Sequence, residues 1–243
     1  MSDIVSFSHK VSIAGQVIDK CTEKAISGAT VTIQEVEEKS QQFKSKYLKP
    51  VKTAADGWFH FIDLPDGTYT LEASLPSAGS RYKASEPQKI KVEKSIVKKS
   101  QNVQNNGQLP KEPLNLRLEL HPTILQGKVI EEIHQKPKTQ EETPNTKNEF
   151  VGLAKVRIQG SYESTLTLSN IQKSSVEGED EWNYRMIGIE ATTSNTESIK
   201  DEPKKVKVIV SKIGYEQKSD EIEIKRGEVN QLDFALSPST SVN

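Results

Sequence analysis

The chain has 243 residues, of which 33% are hydrophobic and 28% charged, and its formal net charge is -1 at pH 7. At about 100–200 residues per domain, this length corresponds to one large domain or two small ones. No apolar run approaches the roughly 18 residues that a membrane-spanning helix needs, so we expect no membrane insertion. The balance of 33 basic against 34 acidic residues gives no general attraction to nucleic acid.

Two further features concern the compartment in which the protein works. Residues Met1–Ile4 lack the basic and apolar regions of a secretory signal, which predicts a cytoplasmic protein. The single cysteine, Cys21, has no second cysteine with which to form an internal disulfide, and a lone thiol fits a reducing compartment.

Apolar and polar residues alternate through much of the first half of the chain, which is the pattern of half-buried strands. The alternation occupies segments 11–18, 30–33, 58–61, 69–73 and 114–120. Turn sequences separate these segments at Asp56-Gly57, Pro65-Asp66-Gly67 and Asn106-Gly107. This spacing predicts an antiparallel sandwich. The window Glu35–Lys46 has too few apolar residues for the buried stripe of a helix.

The segment 58–61 shows most clearly which side chains should face the core. Phe59 and Phe61 alternate with Trp58 and His60. Aromatic side chains bury large apolar areas, so we predict that both phenylalanines point inward. By the same alternation, Trp58 and His60 should lie on the outer side of the strand.

The pattern then occurs a second time with loops of different length. Segment 13–18, which contains Gly15, is similar to segment 125–130, which contains Gly127, and segment 29–34 is similar to segment 154–159. Further alternating segments follow in the same order, at 182–186, 206–210 and 232–236. We therefore predict two tandem domains, 11–120 and 124–237, joined by a linker at 121–123 and flanked by tails at 1–10 and 238–243. Trp182 should point into the second core.

Three stretches between these segments are rich in polar residues: Val92–Lys111, Glu131–Glu149 and Ala191–Glu202. Long segments of this composition bury too little apolar surface to join a core. We expect them to be long solvated loops.

Four motifs of the first half together resemble the carboxypeptidase regulatory-like family. They are segments 15–19, 26–33, 53–61 and 64–71. The second half is similar but divergent, since it lacks an Asp-Gly turn before Trp182. The resemblance implies an all-β fold of two tandem transthyretin-like, or Ig-like, antiparallel β-sandwiches with long polar loops. It implies a fold and no particular chemistry.

The residues that commonly carry chemistry are scattered along the sequence. His9, His60, His121 and His134 show no metal-ligand spacing, so we predict no metal site, no cofactor and no catalytic residue. Ser95-Ile96-Val97-Lys98 matches a Ser-x-x-Lys pattern without its partner motifs, and we attribute the match to chance. The basic run Lys83–Lys99 is interrupted by Glu86 and Glu93, and we interpret it as a solvated strand edge.

Adhesin-like relatives in this class of sandwich form isopeptide bonds between lysine and asparagine beside an acidic residue. The resemblance assigns Glu72 and Asn115 to the corresponding strands. The positions expected to supply the lysine read Gln16-Val17-Ile18, with Lys10 before them and Lys20 after them. Glu72 also falls on the polar face, so we do not predict this bond.

A tandem scaffold with long loops and no predicted site favours a non-enzymatic structural or docking protein. Its partners would be protein subunits of a larger assembly. The resemblance extends to accessory components of phage-tail-like contractile injection systems, at the baseplate, the cap or fibre attachments. One alternative is a glycan- or ligand-binding module that stacks its ligand on Trp58, Tyr82, Trp182 or Tyr215. A transthyretin-like hydrolase is a further alternative, but it would need a His/Arg/Ser cluster that four scattered histidines do not supply.

Overall fold

The computed structural model describes residues 11–37, 49–93, 114–132, 149–173, 181–191 and 203–239. The chain divides into two compact units. The first comprises Met1–Ala78 and Tyr82–His121, and the second comprises Gly79–Arg81 and Pro122–Asn243. Most of the three predicted polar loops lies outside the described residues. No helix in the described ranges is long and apolar enough to cross a membrane.

The first unit contains two four-stranded sheets. Its strands are β1 (Val11–Asp19), β2 (Thr30–Glu37), β3 (Val51–Lys52), β4 (Trp58–Ile62), β5 (Gly67–Ser74), β6 (Tyr82–Lys83), β7 (Gln88–Val92) and β8 (Leu114–Pro122). The sheets have the orders β4-β1-β8-β6 and β3-β2-β5-β7. A short 3-10 helix spans Pro76–Arg81. Residues 35–37 of the weak helical window extend β2, and residues 38–46 lie outside the described residues.

The core of the first unit confirms the register that alternation predicts for β4. Phe59 and Phe61 are 2% and 4% exposed, and their rings meet edge to face with centroids 6.1 Å apart. Trp58 is 42% exposed on the opposite side of the strand. The phenylalanines pack among buried residues of both sheets, including Ile13, Val17, Val31, Tyr69, Leu71 and Leu118.

The second unit repeats this strand order. Its strands are β9 (Ile124–Gly127), β10 (Val129–Glu131), β11 (Lys155–Ile158), β12 (Ser164–Leu166), β13 (Tyr184–Ile187), β14 (Lys204–Ser211), β15 (Lys218–Ile224), β16 (Val229–Gln231) and β17 (Phe234–Leu236). The sheet β12-β11-β14-β15 corresponds to β3-β2-β5-β7 of the first unit. The order β13-β9-β16, continued by β10-β17, corresponds to β4-β1-β8. The all-β fold with two tandem sandwiches is therefore confirmed.

Each unit contains parallel pairing that differs from the expected antiparallel arrangement. β1 pairs with β8 in parallel, and β9 and β10 pair in parallel with β16 and β17. Side chains alternate with period two in parallel and antiparallel strands alike. The sequence pattern therefore does not report the direction of a neighbouring strand.

The residues just before β13 correct the prediction for Trp182. Trp182 is half-buried outside the core cluster, whereas Tyr184 and Met186 belong to it. The Arg185 guanidinium carbon lies 5.4 Å from the centroid of the Trp182 ring. The fully buried position is taken by Asn183, which is 0% exposed. Regular alternation begins only at Tyr184, and this is why it fails for Trp182.

Asn183 is buried because its side chain completes backbone hydrogen bonds inside the second unit. Its Nδ2 donates to the carbonyls of Val129 and Leu168, and its Oδ1 accepts from the Val129 N–H. Buried backbone groups need such partners where regular pairing is interrupted. Asn183 therefore has a structural role that hydrophobic alternation does not reveal.

The glycines of the two repeated motifs occupy equivalent positions. Gly15 pairs with Phe59 on β4, and Gly127 pairs with Tyr184 on β13. A Cβ atom on Gly15 would overlap the Leu116 carbonyl oxygen and lie 2.6 Å from Cζ of Phe59. A Cβ atom on Gly127 would overlap the Leu232 carbonyl. Both glycines are thus required where the first strand of each unit passes close to another backbone segment, which is β8 in the first unit and the link between β16 and β17 in the second.

A buried carboxylate organises the turn after β1. Asp19 is 4% exposed, and its Oδ1 accepts hydrogen bonds of 2.8 Å from the N–H groups of Cys21 and Thr22. Its Oδ2 accepts a 2.9 Å hydrogen bond from the Tyr82 hydroxyl. Burial, and then this hydrogen bond, raises the pKa of Tyr82 to about 12.

The raised pKa of Tyr82 predicts a loss of stability at alkaline pH. The folded protein holds the phenolic proton of Tyr82 more tightly than the unfolded chain does, and this difference stabilises the fold. The contribution of Tyr82 to stability is complete below the ordinary tyrosine pKa of 10.0 and is lost as pH rises towards about 12. Urea unfolding measured across that interval should show a falling unfolding free energy. The fall should be smaller in Tyr82→Phe, and an equal fall in both proteins would contradict the assignment.

Candidate functional site

Strand β4 forms one edge of the β4-β1-β8-β6 sheet. Its sequence, Trp-Phe-His-Phe-Ile, contains no Asp, Glu, Lys or Arg. With Phe59 and Phe61 buried, Trp58, His60 and Ile62 face outward, and Trp58 and Ile62 are each 42% exposed. Val11 of β1 pairs with Ile62 and is 38% exposed. We call Val11, Trp58, His60 and Ile62 the β4 surface.

On the side of β4 that faces away from β1, Trp58 is already hydrogen-bonded, since its carbonyl accepts from the Ala54 N–H and its N–H donates to Oδ1 of Asp56. The Val17 N–H donates to the Gly57 carbonyl across the sheet at 2.9 Å. Because peptide groups alternate in direction along an antiparallel strand, those of Phe59 also point to β1 and those of His60 point away from it. The N–H and C=O of His60 therefore face the open edge.

The other edge strands of the described first unit carry lysines. Lys52 lies on β3, Lys83 on β6, and both Lys89 and Lys91 on β7. A charged edge disfavours pairing with a foreign strand, because the charge would have to leave water. The interpretation of the basic run as a solvated edge is confirmed for β7. β4 is the edge that lacks this protection.

The structure does not bring the remaining candidate residues together. Of the histidines, His60 is exposed on β4 and His121 is half-buried, where burial lowers its pKa. His9 and His134, like the Ser95–Lys98 motif, lie outside the described residues. In the part of the chain that the structure describes, no group of three or more His, Cys, Asp or Glu side chains is placed to hold a metal ion.

Three of the four aromatic residues considered as stacking platforms are engaged by other groups. The Tyr215 hydroxyl donates a 2.7 Å hydrogen bond to Glu131, Tyr82 is bound to Asp19, and Arg185 lies over Trp182. The predicted exposure of Trp58 is confirmed, and it has the most accessible ring of the four.

The residues considered for an isopeptide bond can be placed only in part. Oε2 of Glu72 accepts a 2.6 Å hydrogen bond from Nε2 of Gln34 on the neighbouring strand. Glu72 is half-buried on the outer face of β5. Lys10 and the side chain of Asn115 lie outside the described residues.

The family comparison agrees with the motifs of the first half. Residues 12–103 match the sequence model of the carboxypeptidase regulatory-like domain. The resemblance is thereby confirmed for this segment. No curated protein sequence matches the chain.

Solved structures similar to the chain include the TIE protein of Bacillus anthracis and two pilins. The Bacillus anthracis TIE protein is 12% identical with a TM-score of 0.38, and the match covers 94% of this chain and 34% of that chain. The shaft pilin SpaA from Lactobacillus rhamnosus GG is 8% identical with a TM-score of 0.34, and the match covers 96% of this chain and 100% of that chain. The minor pilin GBS52 of Streptococcus agalactiae is 9% identical with a TM-score of 0.26, covering 96% and 98%. The chain spans about a third of the TIE protein.

Proposed function

We propose that the chain is a non-enzymatic structural or docking protein, a subunit or adaptor of a larger protein assembly. The observation that carries this proposal is the uncharged edge strand β4 with its exposed apolar residues. A partner would add one of its own strands to this edge. The main-chain hydrogen bonds would supply affinity, and contacts with Trp58 and Ile62 would supply specificity.

The chemistry of β4 indicates what the partner presents. The open N–H and C=O of His60 are best satisfied by another extended backbone. Trp58 and Ile62 are two strand repeats apart on one face, so the added strand should carry apolar residues at alternate positions. Because the Trp58 carbonyl already accepts from the Ala54 N–H, the main chain of an added strand would pair with β4 at His60.

A finer part of the proposal concerns the assembly itself. The sequence resemblance favours an accessory component of a phage-tail-like contractile injection system, assembled in the cytoplasm. Electron cryomicroscopy of particles purified through a tag on this chain, together with cell fractionation, tests it. Extra density at the baseplate, cap or fibre attachments is the expected result. A monomeric, unassociated chain in native lysate would contradict it.

The exposed ring of Trp58 favours glycan binding as a second candidate function. Stacking on a sugar should quench or shift its fluorescence, and Trp58→Ala should abolish the effect. A glycan array identifies a ligand if one exists. Binding that is lost in Trp58→Ala and kept in Ile62→Lys would favour this function over strand addition.

The proposed docking edge is tested by Ile62→Lys in the full chain. The substitution places a charge where the added strand would cover it, and we expect recovery of partner subunits to fall about tenfold or more. Gln34→Lys is the matched control, because it adds the same charge on an interior strand of the other sheet, beside Glu72. Thermal melting should be similar in both variants. Equal recovery of partners in both would contradict docking through β4.

A further inference from the structure

The outer face of the β12-β11-β14-β15 sheet exposes several aliphatic side chains at one end. Leu153 is 73% exposed, Leu166 54%, Leu168 43% and Ile213 99%. Together these four residues form what we call the aliphatic patch. Soluble proteins expose single apolar residues routinely, but a contiguous group of them marks an interaction site.

Strand register brings the four residues to the same end of the sheet. Lys155 of β11 pairs with Leu166 on one side and with Ser211 on the other. Leu153 precedes Lys155 by two residues, and Ile213 follows Ser211 by two. β11 begins at Lys155 and β14 ends at Ser211, so Leu153 and Ile213 lie in the turns next to these strand ends, at the same end of the sheet.

Alternation places two of these side chains on the outer face. Thr167 is buried, at 1% exposure, so Leu166 and Leu168 on either side of it point outward. The Leu153 N–H donates a 2.8 Å hydrogen bond to the Thr167 carbonyl. This bond fixes Leu153 next to the segment that carries Leu166 and Leu168.

The backbone holds the two most prominent residues of the patch in place. Leu153 has a φ of 58°, in the left-handed region that non-glycine residues seldom adopt. Ile213 precedes Gly214, whose φ of 84° closes the turn between β14 and β15. A strained leucine that gains little burial is not explained by folding, and such strain clusters at functional sites.

Basic side chains continue from the patch along the same outer face. Lys155 and Arg157 lie on β11, and Lys207 lies on β14. Within the described ranges, none of these three cations lies within ion-pair distance of a carboxylate. By contrast, Nζ of Lys205 lies 2.9 Å from the Glu221 carboxylate at the far end of β14. Lys207 has Glu221 directly opposite it on β15, whereas Lys155 and Arg157 lie opposite uncharged residues on both neighbouring strands.

We propose that the aliphatic patch and the adjacent Lys155 and Arg157 form a docking surface for a polypeptide segment that carries aliphatic residues next to carboxylates. Leu153 and Ile213 would be covered by the apolar residues of the segment. Its carboxylates would pair with Lys155 and Arg157, and this charge complementarity selects an acidic partner. This surface belongs to the second unit, whereas the β4 surface belongs to the first.

Synthetic peptides test this surface in the full chain. The probe is a fluorescent nine-residue peptide with leucine at alternate positions and aspartate between them. Two counterparts replace aspartate by lysine or leucine by serine. In fluorescence anisotropy, the aspartate–leucine peptide should bind at least about tenfold more tightly than either counterpart. Added salt should weaken the binding of the aspartate–leucine peptide. Absence of binding, or equal binding of the aspartate and lysine peptides, would overturn the proposal.

Variants of the patch locate the binding. Leu153→Gly removes the side chain at a φ that glycine adopts freely, and Ile213→Ser changes a fully exposed side chain, so neither should unfold the protein. Each substitution should weaken the affinity for the aspartate–leucine peptide about tenfold. Tyr162→Ser is the matched control, because Tyr162 is fully exposed in the turn between β11 and β12 and outside the patch. A loss as large in the control as in the patch variants would overturn the assignment.

A basic and apolar surface also suits an anionic membrane, and the same variants separate the two partners. Vesicles of phosphatidylcholine with phosphatidylserine serve as the second probe. The proposal expects the vesicles to bind equally weakly to the wild-type chain and to Ile213→Ser. If the wild-type chain binds the vesicles and not the peptides, and Ile213→Ser abolishes the vesicle binding, the partner is a lipid surface and the proposal of a polypeptide partner is wrong.

Discussion

Gly127→Ala should unfold the second unit. The added Cβ would overlap the Leu232 carbonyl oxygen and lie 2.6 Å from its carbonyl carbon. These are backbone atoms of the segment between β16 and β17, so no side-chain rotation relieves the overlap. We expect a cost of about 3 kcal/mol or more in the free energy of unfolding. Urea denaturation followed by near-ultraviolet circular dichroism measures it.

Gly160→Ala is the matched control for this prediction. Gly160 also belongs to the second unit and has a φ of 77°, but a Cβ added there would meet no atom of the described residues within 4 Å. An alanine there carries only the cost of a left-handed backbone, about 1–2 kcal/mol. If Gly127→Ala proves no more destabilising than Gly160→Ala, the close approach of the Leu232 backbone to Gly127 is contradicted.

Phe61→Ala should remove much of the stability of the first unit. Phe61 is 4% exposed and meets Phe59 edge to face. Truncation removes buried apolar contacts and leaves a cavity, which costs about 3–5 kcal/mol. Chemical denaturation of the full chain should show an early transition for this variant.

His60→Ala provides the comparison on the same strand. His60 lies on the outer side of β4, and substitutions at exposed positions usually change stability by less than about 0.5 kcal/mol. A one-residue shift in register would exchange the two faces. If His60→Ala were as damaging as Phe61→Ala, the inward row of β4 would have to be reassigned.

The local pattern of residues predicts the faces of strands well. Alternation places Phe59 and Phe61 in the core and Trp58 outside, because a side chain's direction depends on its own strand alone. The same rule fails at Trp182, where the buried Asn183 completes backbone hydrogen bonds before regular alternation begins. The repeat of Gly15 and Gly127 is visible in the sequence. Its cause, contact with a distant backbone segment, is visible only in the fold.

The candidate site depends on which strand has no neighbour, and this is a property of the whole sheet. Nothing in segment 58–62 shows that β4 is an edge, although the lysines of β7 do indicate one. The aliphatic patch cannot be predicted from the sequence for a similar reason. Leu153 and Ile213 lie in turns that are 60 positions apart in the sequence, and only the pairing of Lys155 with Ser211 brings these turns to the same end of the sheet.

Hydrogen exchange at the His60 amide tests the docking role of β4. Exchange would be measured by mass spectrometry with residue resolution, in the isolated chain and in the assembly purified with it. The amides of Phe59 and Phe61 point to β1 and should be protected in both samples. The His60 amide should exchange rapidly in the isolated chain and become protected in the assembly, because a partner strand accepts its hydrogen bond. Equally rapid exchange of His60 in both samples would contradict docking through β4.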